Sequence, residues 1–313
     1  MIGANDLRGC YPAIITPMTS GGEAVDFAGL ERLVHTLLDA GVPGIAFAGT
    51  TGQSATLTYD EHVQVVQRGA EFARAYAKTL GREVLVIGAA GSNATHEALV
   101  LCERILAEGR VDAMLQVTGY YNNPPQEGLF KHFWAVADLA AEHECATILY
   151  NVPSRTCSNL EPKTVAKLAQ HPAIIGIKEA SGSLAQIQEI LDGTSRETFA
   201  VLSGEDHLVS DVLLRGGTGV IAASGNMWPA QFQRLCELGL AGKHDAAEEL
   251  QRALIPCAKA VFSAKNPIPL HFMLKSDLRL PLVGVEELNE TDRLRVYAAV
   301  ETALAIKTFP HCQ

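Results

Sequence analysis

The sequence predicts an α/β fold: a (β/α)8 barrel of the TIM type, followed by a helical C-terminal extension. Three observations predict it. Eight short runs of nearly unbroken apolar residues recur between positions 13 and 222. Helix-length amphipathic segments separate them. No Gly-x-Gly-x-x-Gly follows the first run, so nothing supports the dinucleotide site of an open, doubly wound sheet.

The apolar runs fall at 13–16, 44–48, 84–88, 113–117, 146–150, 174–177, 200–202 and 219–222. Their hydrophobicity is continuous and does not alternate, as expected for parallel strands covered on both faces. The first helical segment, 26–40, places Leu30, Leu33, Val34, Leu37 and Leu38 on one stripe. The same spacing predicts helices over 60–77, 95–107, 126–142, 161–170, 184–191 and 206–215. Pro162 after Glu161 suits a first helical turn, and the Gly216, Gly217 pair ends a helix. Unbroken strand–helix alternation predicts that 9–228 closes as the barrel. From 229 to 313 the helical spacing continues with no strand-like run. This region reads as three or four further helices that pack on the barrel or make a subunit contact.

Composition excludes several classes. At 313 residues, with 48% apolar and 19% charged residues, the chain suits one large α/β domain rather than a disordered or fibrous protein. A net charge of −10 argues against non-specific binding of nucleic acid. The seven cysteines are scattered and never form a Cys-x-x-Cys pair, so neither a disulfide framework nor a zinc site is expected. Reduced thiols, and an N-terminus without an apolar signal region, read as a cytoplasmic enzyme. No apolar run reaches the roughly 18 residues of a membrane span.

In such a barrel the chemistry lies at the C-terminal ends of the strands. Lys178 follows Ile174, Ile175, Gly176 and Ile177, so it projects from an apolar strand into a partly dry barrel mouth. Loss of water there disfavours the ammonium and leaves an amine able to attack a ketone and form an imine. The imine is an electron sink that lets a neighbouring carbon–carbon bond form or break. The plainer alternative is a lysine paired with Glu179. Tyr150 ends the neighbouring strand and is either a proton relay or an aromatic cap on the core. Thr50 and Thr51 sit on a glycine-flanked turn that either binds a carboxylate or is a simple loop. Arg155 is either a bidentate carboxylate clamp or a surface ion pair. Tyr120 and Tyr121 extend the hydroxyl series or pack at an interface.

Five stretches then identify a resemblance: GTTGQSATLT from Gly49, YYNNPPQEGLFKHF from Tyr120, ILYNVPSRT from Ile148, IIGIKEASG from Ile174, and SGEDHLVSDVLLRGGTGVIAASGN from Ser203. In this order they resemble the dihydrodipicolinate synthase family of the N-acetylneuraminate lyase superfamily, from about Gly9 to beyond Pro267. The resemblance implies Lys178 as the Schiff-base lysine. It implies a proton relay of Tyr150, Thr50 and Tyr121, with Tyr121 reaching a neighbouring subunit's site. Thr50 and Thr51 would hold pyruvate's carboxylate, Arg155 would receive the carboxylate of a small aldehyde substrate, and Gly204 and Ile221 would line the pyruvate pocket. It further implies a homotetramer built as a dimer of dimers, and a reaction needing neither metal nor organic cofactor. The reaction implied is condensation of pyruvate with aspartate 4-semialdehyde, on the route to diaminopimelate and lysine. The alternative is a catabolic aldolase or dehydratase acting on a 2-keto-3-deoxy sugar acid, a sialic acid or a hydroxyproline-derived keto acid. A keto-acid binder without turnover is a third reading, against which Lys178, Tyr150, Thr50 and Tyr121 all speak.

The chain departs from the family pattern near the mouth. Gln53 replaces the glutamate of GTTGES, Gly119 the proline of TPYYN, and Glu205 the first aspartate of SGDD. Cys157 stands where glycine is common. Some family members carry a lysine feedback site. Ala55, His62, Asn93, Glu97 and Tyr120 match it, whereas Tyr59 replaces a typical histidine. An ordinary subunit interface is the alternative for these positions.

Overall fold

The computed structural model describes residues 1–312. Eight parallel strands form one barrel: β1 Gly9–Pro12, β2 Gly44–Phe47, β3 Leu85–Ala89, β4 Ala113–Val117, β5 Ala146–Asn151, β6 Ile174–Glu179, β7 Ala200–Ser203 and β8 Gly219–Ala222. Strands adjacent in sequence are adjacent in space, and β1 pairs with β8. A single parallel bridge, Ala13 to Ala46, closes the remaining seam between β1 and β2.

The first strand lies four residues earlier than the apolar run at 13–16 suggested. Pro12 lies inside this strand, where its missing N–H costs the ladder little. The N–H groups of Gly9 and Ala13 donate to Thr218 O and Ala222 O. Those of Cys10 and Ile14 point the other way, to Gln233 Oε1 and Ala46 O. Pro12 falls in the second set, beside the sparsely bonded seam.

Helices follow the strands: α1 Phe27–Asp39, α2 Tyr59–Thr79, α3 Thr95–Leu106, α4 Gln126–Glu142, α5 Pro153–Thr156, α6 Pro162–Leu168, α7 Leu184–Gly193 and α8 Val209–Arg215. The stripe of α1 is buried at Leu30, Val34, Leu37 and Leu38, as its period requires. Thr58 and Glu61 form a reciprocal capping box at the start of α2. The helix expected over 206–215 begins three residues late. Asp206 turns inward, 1% exposed, and its carboxylate accepts the N–H groups of Ser224 (2.6 Å) and Ala223 (3.3 Å). That bond ties the loop after β7 to the loop after β8 and leaves Asp206 no place in a helical turn.

The barrel interior is small and apolar, with Tyr11, Ala46, Ile87, Leu115, Ile148, Leu202 and Ile221 among its buried side chains. Leu7, from the segment before β1, packs into the same cluster. Further clusters lie between strands and helices. After β8 come α9 Pro229–Leu240, α10 His244–Val261, α11 Ile268–Leu274 and α12 Glu290–Leu304. α9 packs on β1 and α8, in the place of an eighth barrel helix. The connection from α11 to α12 is pinned to the barrel by Arg279. Its guanidinium bonds Gly22 O, Glu23 O, Thr56 O and both oxygens of Glu61. Arg279 holds the Glu61 carboxyl down to about 2. Among the described residues, no helix is long and apolar enough to cross a membrane.

Candidate active site

A cleft of 870 Å³ opens at the C-terminal ends of the strands. It is lined by Thr50 and Thr51 after β2, Tyr150 of β5, Arg155 of α5, Lys178 of β6, Gly204 after β7 and Ile221 of β8. Seven residues singled out in the sequence therefore share one cavity.

Strand register explains the central pair. Tyr150 lies opposite Lys178 in the β5–β6 ladder, so both side chains leave the same face of the barrel wall. Both are 7% exposed, and Lys178 Nζ sits 4.4 Å from the centroid of the Tyr150 ring. The next register pair, Asn151 with Glu179, points to the other face. There the Glu179 carboxylate accepts from Asn151 Nδ2 (3.1 and 3.2 Å) and Ser181 N (2.8 Å). Glu179 is thus not the partner of Lys178, and the plainer alternative for the lysine does not hold. Burial pushes the Glu179 carboxyl above its usual range, against the pull of the Ser181 and Asn151 hydrogen bonds.

Two further carboxyls stand near the amine. Burial raises both Glu205 and Asp206. His207 and then Lys178 and Arg155 offset part of this at Glu205, and the Ser224 bonds and then Lys178 do so at Asp206. Gly204 has a strict steric role. A Cβ there would lie 2.5 Å from Ala180 Cβ and 3.0 Å from Glu179 O, while its N–H bonds Glu179 O at 2.7 Å. Only glycine lets the ends of β6 and β7 approach this closely beside the cleft.

Arg155 is half-buried and, among the described residues, has no carboxylate within 4.0 Å. One of its amino groups donates to Asn266 O at 3.2 Å. It is therefore not a surface ion pair. Cys157, two residues on, adopts φ 57°, a left-handed conformation that accounts for glycine at this place in the family pattern. Gln53 turns away from the cleft. Its Oε1 accepts Arg279 N–H (3.1 Å) and its Nε2 lies 3.2 Å from His271 Nε2. Burial brings His271 down to about 4, so a neutral imidazole meets a neutral amide there.

Tyr121 is not brought to the cleft. It is 92% exposed with φ 71°. Tyr120 is 39% exposed and its N–H donates to Asn93 Oδ1 at 3.0 Å. Of the positions matching the feedback site, Asn93 is thereby tied to this turn. Glu97 accepts from Ser92 Oγ at 2.7 Å, and burial together with the nearby Glu97 carboxylate raises the Tyr59 phenol above its ordinary value. Ala55 is exposed, whereas His62 is buried with its ring on Ala89 O at 2.7 Å.

The C-terminal region does more than pack on the barrel. The end of α10 and the loop into α11 form the outer wall of the cleft, with Lys259, Phe262, Lys265 and Asn266. The only sequence signal for this was Pro267 and Pro269, which break the helical pattern and mark a loop.

Comparison with known proteins agrees with this geometry. The model of the Dihydrodipicolinate synthetase family matches residues 6–298. The 4-hydroxy-tetrahydrodipicolinate synthase of Methanoculleus marisnigri is 41% identical over 295 residues, covering 92% of this chain and 97% of that protein. The crystal structure of a dihydrodipicolinate synthase from Acinetobacter baumannii in complex with pyruvate is similar at 34% identity. Its TM-score is 0.85, over 96% of this chain and 100% of that one. A dihydrodipicolinate synthase from Cyanidioschyzon merolae, solved with lysine bound, is similar at 33% identity and TM-score 0.87, over 96% and 99% of the two chains.

Proposed function

The chain belongs to the dihydrodipicolinate synthetase family, and on that footing we propose that it condenses pyruvate with aspartate 4-semialdehyde through an imine on Lys178. The observation that carries the reading is the Tyr150–Lys178 pair, opposed in register and enclosed in one cleft. Thr50 and Thr51 hold the pyruvate carboxylate. The Lys178 amine attacks the keto carbon, and water leaves as the imine forms. Loss of a methyl proton then gives an enamine, whose carbon attacks the aldehyde. The amino group of the second substrate attacks the imine carbon, closes the ring and expels Lys178. Tyr150 and Thr50 carry the protons, since hydroxyls within reach of the reacting atoms serve as general acids and bases. Arg155 receives the carboxylate of the aldehyde, a planar donor facing a planar acceptor.

Tyr121 completes the relay in the cleft of a second copy, within a homotetramer assembled as a dimer of dimers. Its 92% exposure and absence from its own cleft support this. Left-handed backbone at a non-glycine residue is strained and tends to persist where function needs it.

Borohydride reduction in the presence of pyruvate tests the imine by mass spectrometry, with the adduct expected on Lys178. A panel of acceptors with pyruvate held constant tests the substrate. Turnover with aspartate 4-semialdehyde supports the synthase. Turnover confined to a cleaved sugar acid or a hydroxyproline-derived keto acid assigns the chain to the catabolic branch.

A further inference from the structure

One residue from outside the barrel bonds to a member of each candidate carboxylate subsite, Thr51 in one and Arg155 in the other. Asn266, in the loop between α10 and α11, is 6% exposed and lines the cleft. Its Nδ2 donates to Thr51 Oγ1 at 3.0 Å, and its backbone oxygen accepts from Arg155 Nη2 at 3.2 Å. Thr51 is 3% exposed, and among the described residues its hydroxyl makes no other hydrogen bond. A hydroxyl that accepts from an amide N–H keeps its own proton for another acceptor. The cleft is where that acceptor arrives. Among the described residues Asn266 Oδ1 is itself without a partner, so the bond to Thr51 is the only hydrogen bond this amide side chain makes with them.

Building on the aldolase reading above, we propose that Asn266 is a positioning residue. It commits the Thr51 hydroxyl to donate to the keto-acid carboxylate, and through its backbone it ties that subsite to the Arg155 subsite for the second substrate. The C-terminal region thereby sets the spacing between the two carboxylates that the enzyme accepts. If the amide were turned over, Oδ1 would take the Thr51 proton and the keto acid would lose a donor.

Asn266→Asp separates these arrangements. The carboxylate keeps the shape but accepts the Thr51 proton and repels a bound carboxylate. The KM for pyruvate is expected to rise about tenfold or more, the effect of losing one hydrogen bond to an ion. The kcat at saturating pyruvate should stay within about threefold, because Lys178 and Tyr150 are untouched. Borohydride trapping at saturating pyruvate should still label Lys178, which shows that the variant folds and forms the imine. Asn266→Ala provides the second arm. It should raise the pyruvate KM in the unaltered background and leave it unchanged in a Thr51→Ala background, since the residue acts through that hydroxyl. A pyruvate KM unmoved in Asn266→Asp overturns the proposal. So does an Asn266→Ala penalty that is equal with and without the Thr51 hydroxyl, the result a purely structural asparagine would give. Failure of the unaltered protein to form the adduct sinks the aldolase reading instead, and is seen in a separate assay.

Discussion

Strands β5 and β6 carry two register pairs one residue apart, Tyr150 with Lys178 and Asn151 with Glu179. All four residues are buried, and each pair sets an amine or a carboxyl beside a hydroxyl or an amide. The inner pair faces a cleft and leaves its amine without a carboxylate partner among the described residues. The outer pair is enclosed in hydrogen bonds. Asn151 also donates to Asn159 Oδ1 (2.8 Å) and accepts from Leu160 N (2.9 Å), fastening the loop that carries Arg155. The alternation of a β-strand thus separates two kinds of polar residue that stand side by side in sequence. Inward residues keep unspent hydrogen-bonding capacity for a substrate, and outward ones spend theirs on rigidity.

Lys178→Ala is the strongest test of that division. Removing the amine abolishes the covalent route, so kcat/KM should fall by at least about a thousandfold. The melting temperature should stay within a few degrees, because no structural partner is orphaned. A variant that unfolds would show that the inner pair is structural as well and would break the contrast. Tyr150→Phe comes next. It removes one hydroxyl from the relay and should cost about a hundredfold in kcat, the lower end of general acid–base contributions, with little change in stability. Steady-state kinetics alongside thermal melts checks both.

The division was only half visible in the sequence. Strands buried on both faces read as continuous apolar runs, so seven of the eight strands could be placed from their composition. The remaining one, β1, was displaced because the apolar run at 13–16 lies just past the paired residues Gly9–Pro12, and only the pairing geometry shows that the N–H of Pro12 is not needed. Lys178 and Tyr150 were legible because a titratable residue at the end of an apolar strand in a barrel faces the mouth, whereas Arg155, on α5, owed its assignment to the family resemblance. The direction of Glu179 follows from the same alternation. Asn266 was not legible. Its contact with Thr51 spans 215 positions, and a single asparagine beside two prolines has no periodic signature. Asp206 fell inside the helix that the apolar spacing of 206–215 predicts, whereas its role is to bridge the loops after β7 and β8.

The outer pair is tested through stability. Glu179→Ala leaves Ser181 N–H and one N–H of Asn151 Nδ2 without an acceptor, while the other keeps Asn159 Oδ1, at a cost of about 2–3 kcal/mol in urea unfolding. Whatever fraction stays folded should keep its imine chemistry, since Lys178 and Tyr150 do not touch the lost carboxylate. A Glu179→Ala protein that is fully stable yet inactive would reverse the roles of the two pairs.

The smallest effect is the pH dependence of the same carboxyl. Burial raises Glu179 in the folded chain above the ordinary value of 4.5. As pH rises past 4.5, the unfolded chain therefore gives up this proton first. The stability linked to the protonated form is complete below 4.5 and is lost as pH climbs through the folded value. Glu205 and Asp206, also raised by burial, push in the same direction, so the total slope does not isolate one residue. The difference between the unaltered protein and Glu179→Gln does. The amide does not titrate, and its oxygen still accepts at the same place. Urea midpoints measured from pH 4.5 to 7 should fall less steeply for Glu179→Gln than for the unaltered chain. Parallel curves would mean that the outer carboxylate meets water as freely as in the unfolded chain, and that the two faces of β6 do not differ in the way their hydrogen bonds imply.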